Sequence, residues 1–495
     1  MDQSRAQSSA DLAPWYAGVS RYQWLVLVIA SLGWIFDVFE GQVFISSQKE
    51  AVRDLLPGGA SDAQIDYYTN VMLAAFLLGG ALGGVVFGIV SDRVGRTRTM
   101  VYTILTYSAF TCVSALAQRW WELAILRFLV AMGVGGEWAV ASALVAEVFP
   151  KQARARSLGI FHASSVLGTY LAIAAAGWLI VADRENGWRW AFAIGAVPAL
   201  LTLFIRVWLR EPPAWLEARQ AAAAGRGKHL GRMRELFAPG LMSRTVVGVG
   251  LATVGMATFW GVHIHGRETL LRDRQRAYLL QVLGGNPAHV PVSAWEHWKG
   301  ATSQAVIETG EFAESELRSA SEARRKELLE HYSGQFKSWE MLGMLVVTTG
   351  GGLGLLAFGP LAEQVGRRGA FLLFQLGGLA ASLWVFLAPH GWTLWSEPLQ
   401  LIGLAGFGFL TLGMHAGFAV YFPELFPTRL RGTGGGFCFN AGRVLAAPTL
   451  VIGGWMRTGG GLSMELSAAW LSGLFLLGIG LLWFAPETKG QELPV

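Results

Sequence analysis

Residues 88–98 read GIVSDRVGRTR and follow a long apolar segment rich in glycine. An aspartate, three arginines and two glycines between two apolar runs predict a tight turn at a membrane surface. The pattern returns as GPLAEQVGRR at residues 359–368, again at the end of an apolar segment. In both copies an acid follows the first glycine after four residues, and Gly-Arg comes shortly afterwards. The chain therefore contains a repeated membrane unit.

A second pair of motifs is repeated as well. EVFP at residues 147–150 matches ELFP at residues 424–427. These matches predict a duplicated membrane unit. A parallel repeat of two halves is a transporter architecture. In each copy an arginine follows the glutamate after seven residues and a glycine after twelve, which gives Arg154 with Gly159 and Arg431 with Gly436.

The composition excludes an ordinary soluble protein. Of 495 residues, 53% are hydrophobic and only 15% are charged. Apolar stretches of about 20 residues recur, each long enough to cross a bilayer core of about 30 Å. A formal net charge of +5 is explained here by basic inner loops, so no nucleic-acid partner is expected. Cys112 and Cys438 both fall within predicted spans, so neither a disulfide framework nor a metal site is expected.

The apolar segments predict an all-α membrane protein with twelve transmembrane helices. Together with the repeat, they predict two six-helix halves at 22–209 and 245–486, a basic linker at 210–244, and tails at 1–21 and 487–495. The individual spans are expected near residues 22–46, 67–90, 99–117, 122–147, 157–181, 189–209, 245–264, 338–360, 370–388, 398–422, 433–456 and 464–485.

The lysines and arginines predict the orientation. The loops assigned to the inner side carry 17 of them, and the short outer loops carry six. This bias predicts a multi-pass protein of the cell inner or plasma membrane with both termini cytoplasmic. The linker 210–244 holds seven basic residues against three acidic ones, which favours attraction to anionic lipid head groups.

A polar insert at 265–337 interrupts the second half between spans seven and eight. Segments such as 267–283 and 314–331 combine helical periodicity with charges of both signs. We expect a helical cap on the outer side of the membrane. The alternative is a surface insert without a functional role.

The repeated loops predict contacts that open and close. Gly80, Gly84 and Gly88 form a stripe of small residues on span two, which lets another helix approach closely. Asp92 lies at a helix C-terminus, where a carboxylate is disfavoured, so it is expected to contact the N-terminus of span eleven, and Glu363 that of span five. The alternative is a permanent structural turn. The gating candidates are Gly88, Asp92, Arg93, Gly95, Arg96, Glu147, Arg154, Glu363, Gly366, Arg367, Glu424 and Arg431.

These motifs resemble those of the major facilitator superfamily. So do EPPAWL at 211–216 and PETKG at 486–490, which resemble the signatures that end each bundle in sugar and metabolite porters. The resemblance covers nearly the whole chain except the insert. It implies two pseudo-symmetric six-helix bundles that rock around a central cavity. The second loop departs from the pattern, with Glu363-Gln364 where the first has Asp92-Arg93.

Charged residues deep inside predicted spans are functional candidates, because charge is expensive there. Asp37 and Glu40 lie one turn apart on span one, and span four carries Arg127 and Glu137. Arg127 and Glu137 are about 15 Å apart along the helix and cannot pair, so Arg127 is expected to meet an acid of span one. Asp37, Glu40 and Glu137 are predicted proton carriers, because burial and mutual repulsion favour neutral carboxyl groups. The alternative is a simple pair with an arginine.

Arg443 in span eleven is the candidate for binding the substrate, with Asn440 one turn away and Arg127 as a further contact. A guanidinium at mid-membrane requires an anion, and bidentate pairing with a carboxylate suits an organic acid. The alternative is an internal ion pair with Glu137 or Asp37. The Asn-x-x-Arg pattern, GGEW at 135–138 and the acids of span one resemble the sialate/monocarboxylate and metabolite proton symporters.

The sequence thus predicts a secondary transporter that moves a small organic acid, most simply a monocarboxylate, together with protons by alternating access. It predicts no enzymatic activity, no cofactor beyond a proton gradient, and function as a monomer. One alternative is a sugar or polyol porter of the same superfamily. Another is a nutrient receptor that senses its ligand through the insert without transporting it.

Overall fold

The computed structural model is helical wherever its described residues form regular structure, as predicted. Short 3₁₀ and π-helical turns join the α-helices. The residues that the structure describes are 14–57, 60–175, 186–195, 197–266, 333–387, 397–458 and 460–495.

The first half and the linker contain nine described helices. They are α1 (Arg21–Leu55), α2 (Asp62–Val94), α3 (Arg96–Ser114), α4 (Trp120–Val148), α5 (Lys151–Ala163), α6 (Ser165–Ala175), α7 (Gly187–Ile194), α8 (Leu201–Trp208) and, in the linker, α9 (Pro213–Ala223). The second half contains α10 (Met242–Thr258), α11 (Ser333–Leu387), α12 (Glu397–Leu412), α13 (His415–Leu425), α14 (Arg431–Thr458), α15 (Met464–Ser472) and α16 (Leu474–Leu481).

The first outer loop is shorter than predicted. The loop was expected over 47–66, but α1 continues to Leu55 and α2 begins at Asp62. Ser61 caps α2, since its hydroxyl accepts from the backbone N–H of Gln64 at 3.3 Å and the Gln64 side chain accepts from the N–H of Ser61 at 2.9 Å. Hydropathy marks only the apolar part of each helix, so the predicted boundary was wrong where the helix continues beyond that part.

The glycines of the two repeated loops sit where the backbone turns. Gly95, between α2 and α3, has φ 124°, and Gly366, inside α11, has φ 84°. A side chain is strained at such angles, which explains why each motif needs glycine there. Because the turn at Gly366 is tight, α11 contains both the eighth and the ninth predicted span.

Nine helical segments of the described residues are long and apolar enough to cross a membrane, and three of them join two consecutive helices, α5 with α6, α12 with α13 and α15 with α16. The long α11 counts once among them although it contains two predicted spans. The third predicted span is α3, which carries five threonines and is more polar. The sixth corresponds to α7, a 3₁₀ turn and α8. Most of the predicted insert, residues 267–332, lies outside the described residues.

The predicted glycine stripe of α2 packs against α14. A Cβ at Gly88 would lie 2.6 Å from the carbonyl oxygen of Gly432, and a Cβ at Gly84 would overlap the Asn440 side chain. On its other side α2 packs equally closely on α4, where a Cβ at Gly135 would overlap the Gly80 backbone. The stripe therefore brings the second half directly onto the first, as the small residues predict.

Gly135→Ala is expected to lower the free energy of unfolding by about 1–3 kcal/mol, because its methyl group would meet the backbone of α2. Gly480→Ala is the matched control, since a Cβ at that helical position has nothing within 4 Å. Thermal unfolding of the purified variants in detergent measures both. Equal behaviour of the two variants would contradict the close packing of α2 on α4.

Candidate functional site

The two halves share a common end, called here the linker face. Gln23 at the start of α1 donates to the carbonyl of Val148 at 2.8 Å, and Thr428 donates its backbone N–H to Pro494 at 3.1 Å. Polar contacts that join the two halves gather at this face. It comprises residues 14–22, 91–98, 148–156, 209–241, 363–369, 425–433 and 486–495.

Asp92 joins the two halves at the linker face. Its Oδ1 accepts from the backbone N–H of Gly432 at 3.0 Å, and its Oδ2 accepts from the N–H and hydroxyl of Thr433 at 2.8 and 2.5 Å. These N–H groups belong to the first turn of α14, where an anion is favoured. The predicted contact between Asp92 and span eleven is therefore confirmed.

Three further charged groups surround this contact. Arg96 bonds Asp92 at 2.6 Å and Glu147 at 2.9 Å, and Arg431 of the second half bonds the same Glu147 at 2.7 Å. All four side chains are completely buried. Two carboxylates thus meet two guanidinium groups, so the charges balance inside the protein.

The second copy of the motif is built similarly but is more exposed. Glu363 accepts from Nε of Arg156 at 2.6 Å, and Arg156 lies in the first turns of α5. The predicted contact of Glu363 with the start of span five is therefore confirmed, although it involves a side chain instead of the backbone. Arg367 and Glu424 form a bidentate pair with distances of 3.0 and 2.7 Å.

The other predicted gating arginines also lie at the linker face. Arg154 donates to the carbonyl of Ala146 at 3.0 Å, and Arg431 donates to that of Pro423 at 3.0 Å, eight residues back in both copies. This equivalence supports the repeat. Arg93 is exposed at the surface.

Two acids that sequence reasoning did not assign to the site complete this face. Glu211 accepts from the backbone N–H of Arg96 at 2.7 Å, and Glu487 accepts from that of Arg367 at 3.0 Å. Each carboxylate thus caps the helix that follows a repeated glycine turn. Partial burial raises the pKa of Glu487, whereas three backbone N–H donors lower it by more, so its pKa lies below the ordinary value. The available signal was the position of both acids in the motifs that end each half.

Deeper between the halves, α14 presents Arg443 and Asn440 to the first half. A Cβ at Gly80 of α2 would lie 2.7 Å from Nη1 of Arg443. The guanidinium lies 5.3 Å from the Phe439 ring centroid. Asn440 donates to the carbonyl of Gly436 at 2.9 Å, and its buried Oδ1 has no hydrogen-bond partner among the described residues.

Asp37 and Glu137 approach the same region from the first half. Asp37 is 2% exposed, interacts electrostatically with Arg443 and Glu137, and forms no direct ion pair with Arg443 in the described part of the chain. Its Oδ1 and Oε1 of Glu137 are buried without a donor there, while Oε2 of Glu137 accepts from Thr103. The structure thus brings the two acids and Arg443 into one region. One carboxyl oxygen of each acid has no hydrogen-bond donor among the described residues, and Asp37 and Arg443 form no direct ion pair there.

Glu40 and Arg127 form a separate pair inside the first half. Nη1 of Arg127 bonds Oε1 of Glu40 at 2.5 Å, as expected for an acid of span one, and Nη2 bonds Ser114 at 2.6 Å. The guanidinium lies 4.3 Å from the ring centroid of Phe192 and is completely buried. This arrangement holds α1, α3 and α4 together. The predicted substrate contact of Arg127 and proton role of Glu40 remain predictions.

A polar face of α3 connects the two acid positions and was missed from the sequence. Thr103 bonds Glu137, and Thr111 bonds Glu40 at 3.0 Å. Tyr107 lies between them, and its buried hydroxyl has no partner among the described residues. The signal was the four-residue spacing of these hydroxyl groups, which places them on one helix face.

Sequence comparison identifies the family. The protein-family model described as Major Facilitator Superfamily matches residues 22–270. The chain belongs to the major facilitator superfamily. It is therefore a membrane transporter of small molecules, with the twelve-helix fold of that superfamily.

Individual relatives are transporters as well. The chain is 27% identical over 479 residues to a probable 4-methylmuconolactone transporter of Cupriavidus pinatubonensis, covering 96% of this chain and 93% of the relative. It is 26% identical over 469 residues to the sialic acid transporter NanX of Escherichia coli, covering 94% and 92%. Such superfamily relatives are metabolite carriers, not enzymes.

A solved structure supports the fold. The proton:xylose symporter XylE of Escherichia coli, bound to 6-bromo-6-deoxy-D-glucose, superposes with a TM-score of 0.64. The match covers 95% of this chain and 98% of that protein at 18% sequence identity. At this identity the similarity establishes the shared fold of the superfamily.

Glu147→Gln is expected to lower the free energy of unfolding by about 3–5 kcal/mol, because it leaves two buried arginines with one carboxylate. Glu363→Gln is the matched comparison, since Glu363 and Arg156 are 21% and 29% exposed, and a loss of about 0–1 kcal/mol is expected. Unfolding in detergent with increasing denaturant measures both. Similar losses would show that Glu147 does not balance a buried charge network.

Proposed function

We propose that the protein is a proton-coupled symporter of a small organic acid that works by alternating access. The observation that carries this proposal is that the charged groups of Arg443 in the second half and Asp37 in the first half are both buried and attract each other without forming a direct ion pair. A buried guanidinium without a direct ion pair is a binding group for an anion.

The proposal assigns the substrate carboxylate to Arg443. Planar, bidentate contact with a carboxylate would satisfy the guanidinium, and the side chain of Asn440, one turn away, would orient the ligand. Sialic acid, named for one relative, carries such a carboxylate. We extend this chemistry to the present chain as a hypothesis about substrate class.

The proposal assigns the proton to Asp37 and Glu137. Each has a buried carboxyl oxygen that no described group donates to, and a proton would remove the charge that burial penalises. Binding a proton and an anion together avoids moving net charge through the bilayer. Glu40 already forms an ion pair with Arg127, so we propose that this pair keeps the helices of the first half packed together during transport.

Alternating access would require the linker face to open. The contacts of Asp92 with α14 and of Glu363 with α5 cross between the halves and would break in that step. We propose that the linker face is cytoplasmic, in the inner or plasma membrane, with both termini on that side. Because both halves of the site lie in one chain, we propose that the monomer is the functional unit.

A sugar or polyol porter is the second candidate. It is favoured by PETKG at 486–490, whose glutamate caps α11 after Gly366, and by the shared fold with a xylose symporter. Uptake into proteoliposomes of labelled sialate, lactate, an aromatic acid and glucose, driven by a pH gradient, distinguishes the two. Uptake of glucose alone would refute the acid proposal, and binding without any uptake would favour a receptor.

Arg443→Lys is expected to reduce acid uptake by about tenfold or more, because lysine keeps the charge but loses the bidentate geometry. Arg119→Lys is the control, since Arg119 lies over Trp121 near the face opposite the linker. Initial rates in proteoliposomes, normalised to protein incorporated, provide the measurement. Full activity of the lysine variant would assign Arg443 to an internal pair.

Asp37→Asn is expected to abolish accumulation against a gradient while exchange of internal for external substrate continues, because a neutral side chain no longer needs to load and release a proton. Asp54→Asn serves as control, because Asp54 is 42% exposed in its pair with Arg189. The ratio of accumulation to exchange is measured for both variants. Loss of both activities in Asp37→Asn alone would indicate a structural role.

A further inference from the structure

A basic pocket opens on the linker face, apart from the residues proposed to bind substrate. Its volume is about 420 Å³. Four basic side chains line it, from the end of α2, from α9 and from the turn after α9: Arg93, Arg219, His229 and Arg232. The remaining lining consists of two alanines and a leucine.

These basic groups have no acidic partner within the part of the chain that the structure describes. Arg93 donates to the carbonyl of Gly231 at 3.5 Å, a long contact, and Arg219 lies 5.3 Å from the ring centroid of Trp215. Three arginines around one small cavity repel each other, and an anion between them relieves this repulsion. A phosphate group suits such a site, because its oxygens accept several guanidinium N–H bonds at once.

The pocket is held in place by contacts with both halves. Trp215 of α9 is fully buried and donates to the carbonyl of Asp92 at 2.7 Å. Gly231 has φ 61°, and a Cβ there would lie 2.9 Å from the carbonyl oxygen of Ile89 in the first half. Its N–H donates to the carbonyl of Arg429 in the second half at 2.9 Å.

We propose that this pocket binds a phosphate group, and that the bound phosphate keeps the two halves together at the linker face. Arg93 belongs to the first half, and the turn that carries His229 and Arg232 is hydrogen-bonded to the second. An anion held by both would therefore have to be released, or lose contacts, when the face opens. The phosphate could come from a soluble phosphorylated compound or from a lipid head group, since both present the same oxygens.

The pocket variant for the test is the double substitution Arg219→Gln with Arg232→Gln. The matched control is Arg226→Gln with Arg234→Gln, which removes two exposed linker arginines that do not line the pocket. Both variants have the same net charge, so they separate a specific site from general attraction to anions. If the pocket variant fails to fold, Arg232→Gln alone replaces it.

The first measurement is the midpoint of thermal unfolding of the full chain. One arm titrates inorganic phosphate in detergent against chloride at equal ionic strength. The other arm compares nanodiscs of phosphatidylcholine with nanodiscs that also contain phosphatidylglycerol. We expect a saturable rise of the midpoint in one arm, and that arm identifies the source of the phosphate group. The affinity should be about tenfold weaker in the pocket variant and unchanged in the control. No rise in either arm, or equal responses of the two variants, would overturn the binding proposal.

The second measurement tests the clamp. Ala139 is buried beside Gly436 at the contact between the halves. In a chain with Cys112→Ser and Cys438→Ser, an Ala139→Cys side chain should react with a maleimide only when the linker face opens. Saturating phosphate, or the anionic lipid, should slow this reaction severalfold in the control background and not in the pocket variant. An unchanged rate in the control would refute the clamp, whatever the transported substrate proves to be.

Discussion

The carboxylate of Asp92, held by the first N–H groups of α14, is the contact on which the arrangement of the two halves depends. A charge at this depth requires donors, and the start of a helix supplies them without a further side chain. Because Arg96 and Glu147 are bonded into the same network, the contact ties the turn after α2 to the second half. Glycine at position 88 makes the approach possible, since any side chain there would meet the α14 backbone.

The buried charges differ between the linker face and the centre. At the linker face, Glu147 meets two guanidinium groups and Asp92 accepts four hydrogen bonds, so this face is stable as it stands. At the centre, the Oδ1 of Asp37 and the Oε1 of Glu137 have no donor among the described residues, and Arg443 is attracted to Asp37 without a direct pair. A transporter without ligand requires this combination, in which the linker face is held closed by paired charges and the central groups remain able to bind ligands.

Much of the fold followed from the sequence, because the glycine motifs and the cost of buried charge are local rules. The contacts of Asp92 and Glu363 were predicted from helix polarity, and the meeting of Arg127 with span one was predicted from distance along α4. Helix ends were not predicted, because hydropathy marks the apolar part of a helix and not its ends. The extension of α1 to Leu55 illustrates this. The capping role of Glu211 was also missed, because it depends on how a distant segment folds back onto the turn at Gly95.

The two halves are expected to separate at the linker face by breaking the Asp92 contact. Spin labels at Arg98 and Arg368, exposed positions that follow the Gly-Arg of each repeated loop, report the separation directly in a chain without native cysteines. One short distance is expected in the absence of ligand, and a second, longer distance when proton and substrate are both supplied. Asp92→Ala should populate the longer distance on its own. A single distance that neither ligands nor Asp92→Ala alters would contradict this separation.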